Sequence, residues 1–123
     1  MWIKYNSNPL AANAEDCAIR AVSVALNVTW DEAFDMVCQM AKGMGVMPHN
    51  NAAWGAVLRQ HGFIRKIIPN TCPNCYTIED FCMDNPEGIF VLGTGSHAVA
   101  VIDGNYIDTW NSGNEIPVYY WVY

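Results

Sequence analysis

Apolar positions along this chain repeat with helical spacing in the first half and with strand spacing in the second, the change falling near Phe63. From Cys17 the residues Ala18, Ala21, Val22, Ala25 and Leu26 recur at helical intervals, with Asp16 placed to cap the helix and Asn27 to end it. Cys17 therefore falls in a first helical turn. Thr29 followed by Glu32 forms a capping box. Ala33, Phe34, Val37, Met40 and Ala41 then make the apolar stripe of a second helix, until Gly43 and Gly45 stop it. A third helix, capped by Asn50 or Asn51, buries Trp54, Val57 and Leu58 and ends at Gly62. Ahead of all three, residues 1–15 carry no apolar period and read as an irregular lead-in.

Phe63, Ile64, Ile67 and Ile68 then read as a strand, and Thr77 to Asn85 as a short capped helix closed by Pro86. The remaining segments, Ile89 to Leu92, His97 to Ile102, Tyr106 to Trp110 and Pro117 to Tyr123, are strands separated by turn-rich Gly, Asp and Asn clusters. Helices followed by strands predict an α+β fold, with N-terminal helices packed on a C-terminal antiparallel sheet in one domain spanning residues 1–123. The terminal Val-Tyr-Tyr-Trp-Val-Tyr alternates only loosely, which makes it a sheet strand whose exposed aromatics could bind a partner.

Composition narrows the classes. With 123 residues, 52% of them apolar, the chain is long enough to bury one core. A net charge of -6 with no Lys or Arg cluster excludes nucleic acid as an expected partner. Neither a signal-peptide pattern nor a membrane-spanning apolar run is present, so a cytoplasmic protein with no membrane partner is expected. Five cysteines in that setting are expected to be reduced thiols.

The chemistry gathers on Cys17 and His97. A thiol at a helix N-terminus gains thiolate character from the free N–H groups there, although Glu15 and Asp16 oppose the effect. His97 opens a strand that turns back through Asp103-Gly104-Asn105, and a two-residue turn there puts His97, Val99 and Val101 on one face with Tyr106, Asp108 and Trp110. Asp108 can then hold the imidazole in one orientation and tautomer. An odd-length turn would give that role to Asn111 instead.

Asp16-Cys17-Ala18, His97-Ala98-Val99 and Asp108-Thr109-Trp110, in that order, resemble the nucleophile-helix start, the base strand and the Asn-Ser-Trp segment of the papain-like cysteine peptidases. The compact size and the Asp in third place bring the chain nearest to short bacterial and phage domains such as the bacteriocin-leader peptidases. The resemblance implies a papain-like fold and a hydrolase, peptidase or amidase, that forms a thioester on Cys17. His97 would act as base, Asp108 would orient it, and Trp110 would shield the pair from water. No cofactor is implied. The expected partners are a peptide, a protein tail or a small amide. One departure stands out: Ala11 and Ala12 occupy the positions of the family's oxyanion Gln, leaving Asn13 as the nearest side-chain amide. The competing reading keeps the fold without turnover, as a binding protein of the kind phages encode that inhibits or sequesters a host factor.

The other cysteines have plainer explanations. Cys72-Pro-Asn-Cys75 has the spacing of a zinc half-site, and only Cys82 and His61 could complete it, so no metal is the expectation and this set the alternative. A redox pair would open a helix after a strand, yet Tyr76 and Thr77 intervene, leaving two loop thiols as the simpler reading. Cys38, beside Val37, reads as core.

Overall fold

The computed structural model describes residues 1–123 as four helices and one six-stranded mixed sheet, an α+β arrangement. In chain order the elements are β1 (Trp2–Lys4), α1 (Cys17–Leu26), α2 (Trp30–Met44), α3 (Asn51–Gln60), β2 (Ile64–Ile67), α4 (Ile78–Asp84), β3 (Ile89–Gly93), β4 (Ala98–Ile102), β5 (Asn105–Asp108) and β6 (Tyr119–Val122). The strands lie in the order β1-β5-β4-β3-β6-β2, with β1 parallel to β5 and every other pair antiparallel.

The caps explain the helix limits. Thr29 and Glu32 exchange side-chain and backbone hydrogen bonds at the start of α2, Thr77 and Asp80 do the same at α4, and the Asn50 side chain accepts from the Ala52 N–H to start α3. Asn27 and Gly45 close α1 and α2 in the left-handed region. Gly43 lies inside α2 and does not stop it. Asp16 holds the N-cap position of α1, but its side chain makes no cap bond, because other donors claim it.

Two parts of the sequence reading are corrected. The first fifteen residues are not wholly irregular: Trp2–Lys4 is an edge strand, too short to show a period and fixed only by pairing with Tyr106, Ile107 and Asp108. The sheet is therefore mixed and not purely C-terminal. The last segment is a central strand between β3 and β2, with Tyr119 and Trp121 buried, so its aromatics belong mainly to the core. No helix is long and apolar enough to cross a membrane.

Helices cover both faces of the sheet. On one face α1, α2 and α3 bury Val22, Val37, Trp54 and Leu58 against Val91, Ala98, Ala100, Tyr119 and Trp121. On the other, Ile78, Phe81 and Cys82 of α4 pack on Phe90, Leu92, Val99, Val101 and Tyr106. Burial on both faces is why β3 and β4 read as nearly continuous apolar runs.

The β4–β5 hairpin turns on Asp103 (φ 50°) and Gly104 (φ 77°), a two-residue turn with positive φ at both positions. Its register pairs Ile102 with Asn105 and Val101 with Tyr106, the odd sum expected from the sequence. Gly93 is held by a different constraint, since it pairs with both Ala98 and Tyr119 and a Cβ there would lie 2.1 Å from the Tyr119 ring. Gly93→Ala is expected to destabilise the fold by about 1–3 kcal/mol, as overpacking in a closed interior typically does. A urea midpoint equal to that of the parent would contradict this packing.

Candidate active site

The site forms at the end of the sheet where α1 begins, β4 begins and β5 ends. The two-residue turn brings Asp108 onto the face of His97, and the His97 Nε2–H donates to Asp108 Oδ2 at 2.6 Å. That leaves Nδ1 unengaged by Asp108, and Cys17 lies near enough for His97 and the Ala98 N–H to lower its thiol pKa. Thr94 fixes the approach of the histidine, its hydroxyl accepting from the backbone N–H groups of Ser96 and His97 at 3.1 and 2.9 Å. Cys17, His97 and Asp108, singled out from the sequence, thus come together in one site, with His97 hydrogen-bonded to Asp108 and close enough to Cys17 for the thiol and the imidazole to shift each other's pKa.

Asp108 is 3% exposed, and each of its oxygens has two donors. Oδ2 accepts from His97 and from the Ser112 hydroxyl at 2.7 Å; Oδ1 accepts from the Thr109 N–H at 2.8 Å and from Arg20 Nη2 at 3.5 Å. Burial pushes this carboxyl up, but the hydrogen bonds and the charge of His97 bring it below its ordinary value. Arg20 also pairs with Asp16, whose other oxygen accepts from Trp30 Nε1 at 2.9 Å and from Asn8 Nδ2 at 3.2 Å.

The protonation states follow. Burial lowers the imidazole pKa, but hydrogen bonds to Asp108 and Cys17 and their negative charges outweigh it and push His97 up to about 9. Burial likewise raises the Cys17 thiol, and the His97 and Ala98 hydrogen bonds with the charges of His97 and Arg20 bring it below the usual thiol range. Both shifts move the pair toward a thiolate beside an imidazolium. Cys38 and Cys82 are shifted the other way by burial, Cys82 to about 11.

Trp110 packs against His97 with ring centroids 5.1 Å apart while remaining 44% exposed, so it covers one side of the pair. Asn111 does not reach the histidine. Its Oδ1 accepts from the Tyr106 hydroxyl at 2.6 Å and from the Gly113 N–H, because the even turn leaves the orienting role to Asp108. Asn13 lies exposed in the loop before α1 and makes no hydrogen bond. Sequence reasoning missed Arg20, although its position four residues after Asp16 on one helix face was a signal. Ser112 carried no signal, because a loop places it.

The alternative zinc set is not assembled, and no three His, Cys, Asp or Glu side chains come together as ligands. Cys72 and Cys75 form a disulfide, which corrects the expectation of five reduced thiols. Cys82 is buried in the α4 cluster, and His61 Nδ1 bonds to the Val57 carbonyl at the end of α3. No family model, curated protein or solved structure matches the chain.

Two pH effects are expected. Iodoacetamide should alkylate Cys17 ahead of Cys38 and Cys82 at pH 6.5, and His97→Ala should move its half-maximal rate up to or beyond the ordinary thiol value of about 8.5. Equal rates at the three thiols, followed by mass spectrometry, would contradict the ion pair. Because the folded His97 pKa lies above its unfolded value of 6.5, the pair's contribution to stability is full below about pH 6.5 and is lost as pH rises through about 9. Asp108→Asn should flatten that part of the stability profile, and an unchanged slope between pH 6.5 and 9 would show that Asp108 does not hold the proton.

Proposed function

We propose that this chain is a papain-like cysteine hydrolase acting on an amide or related acyl bond. The observation that carries the reading is the convergence of Cys17, His97 and Asp108, with the imidazole hydrogen-bonded to the carboxylate, the thiol and imidazole near enough to shift each other's pKa, and the sulfur at a helix N-terminus. In such a reaction the thiolate attacks the carbonyl carbon and the double-bond electrons move to oxygen, giving a tetrahedral oxyanion. The oxyanion collapses and expels the amine, which takes the His97 proton. The remaining thioester is attacked by a water molecule that His97 deprotonates, and collapse of the second tetrahedral oxyanion releases the acid and expels the thiolate, restoring the thiolate beside the imidazolium.

Asp108 keeps its negative charge throughout and holds the ring, as an orienting carboxylate does. The backbone N–H of Cys17 is the oxyanion donor supplied by the helix start. An exposed Asn13 would leave it unassisted by a side-chain amide, and one missing donor typically costs about a hundredfold to a thousandfold in rate. The substrate is proposed to be a peptide, a protein tail or a small amide. We also place the protein in the cytoplasm, where a nucleophilic thiol stays reduced.

Asn13 favours a second reading, in which the same fold binds and blocks a host protein without turnover. A Cys17→Ala variant separates the two, since a binder keeps its biological effect and a hydrolase loses it. The direct test is a peptidyl vinyl sulfone at neutral pH. One adduct on Cys17 is expected, absent in Cys17→Ala and at least about tenfold slower in His97→Ala. Labelling spread evenly over Cys17, Cys38 and Cys82 would sink the hydrolase reading.

A further inference from the structure

Charge is unevenly distributed along the chain. Between Met36 and Ile78 lie four of the six basic residues and none of the twelve acidic ones, although the net charge is -6. Three of those four, Arg59, Arg65 and Lys66, fall at the end of α3 and in β2. Arg59 and Arg65 bound a cleft of about 340 Å³. The Arg65 guanidinium carbon stands 4.3 Å from the Tyr119 ring centroid and that of Arg59 5.2 Å from the Trp121 ring centroid, so aromatic faces hold both cations. None of the three pairs with a carboxylate, since every ion pair in the fold belongs to Arg20 or His97.

β2 is the outermost strand on this side of the sheet and pairs with β6 alone. In the same register the Ile68 N–H bonds to the Val118 carbonyl. Antiparallel ladders alternate, so Ile64 and Lys66 direct their backbone groups to β6, while Arg65 and Ile67 turn their N–H and C=O groups outward. No backbone bond from outside the sheet reaches residues 64–67. Ile64 and Ile67, at the two ends of the strand, are 64% and 65% exposed. Arg65 and Ile67 share the α3 face with Trp121 and Tyr119, and Ile64 and Lys66 share the α4 face with Val122 and Tyr120. Each face of this edge thus offers one cation and one isoleucine.

Such an edge can accept a second copy of itself or a different strand. A second β2 laid antiparallel would set Arg65 opposite Lys66 or opposite its own equivalent, and like charges directly opposite are destabilising. An acidic strand reverses the sign. We propose that the β2 edge docks an extended acidic segment of a partner protein, which adds as a seventh strand, sets a carboxylate against each of Arg65 and Lys66, and lays apolar residues on Ile64 and Ile67. Arg59, which bounds the same cleft as Arg65, adds a second cation on that face. The segment therefore carries the pattern apolar-acidic-acidic-apolar. This surface includes none of Cys17, His97 and Asp108, so it stands or falls apart from the hydrolase reading.

The probe is the peptide acetyl-Ser-Val-Glu-Glu-Val-Ser-amide, with Gln-Gln replacing Glu-Glu in the control, titrated into isotope-labelled protein and followed by amide NMR shifts. At about 20 mM salt the Glu peptide is expected to bind about tenfold tighter than the Gln peptide, and the gap to narrow at about 0.5 M salt. The largest shifts should fall on the Arg65 and Ile67 amides. In Arg65→Gln/Lys66→Gln the preference should vanish. Ile67→Pro deletes an outward N–H and no bond to β6, so it should abolish binding while resonances outside β2 stay in place. Equal affinity for the two peptides, shifts centred away from β2, undiminished binding to Ile67→Pro, or no shift up to about 5 mM peptide would each overturn the proposal. Shifts at Arg65 and Ile67 that depend on protein concentration alone would overturn it in favour of a second copy.

Discussion

A carboxylate buried at the end of a sheet strand has to be surrounded by donors or lose its charge, and Asp108 meets that condition with four of them. Each donor comes from a different part of the chain: the start of β4, the loop after β5, the backbone beside it and α1. One side chain thereby ties α1 to the hairpin. Removing one partner of a buried ion pair typically costs about 3–5 kcal/mol, so the geometry at Asp108 is a constraint on folding as well as on chemistry. The raised imidazole and the lowered thiol both follow from it, because an oriented imidazolium is the largest favourable influence on the sulfur.

What could be read from the residues alone was what depends on local periodicity. The start of α1 at Cys17, the capping box at Thr29 and the parity of the Asp103-Gly104 turn are all set within a few residues, and together they bring Cys17, His97 and Asp108 into one site. Elements fixed by distant pairing were not legible. Three residues of β1 show no period, and their strand exists only because β5 offers an edge. Tyr119 looked like an exposed aromatic, but β6 is inserted between β3 and β2, and no local pattern announces that strand order. The Cys72–Cys75 pairing is illegible for a related reason, since the spacing alone fits a thiol pair, a metal half-site and a disulfide equally well.

The acidic residues next to the nucleophile pose the sharpest electrostatic question, because a negative charge at a helix start should make a thiolate harder to form. Glu15 is exposed, so water screens it. Asp16 is buried, and burial would leave its full charge beside the sulfur if it had turned inward to cap α1. Instead the carboxylate is bound by Arg20, Trp30 and Asn8. The guanidinium that neutralises it also faces Asp108 and lowers the Cys17 thiol. Giving up the side-chain cap thus separates two demands that a single Asp at this position would otherwise set against each other. The helix start keeps its first-turn N–H groups free of a side-chain cap, and the acid next to it becomes part of the scaffold that holds the positive charge in place.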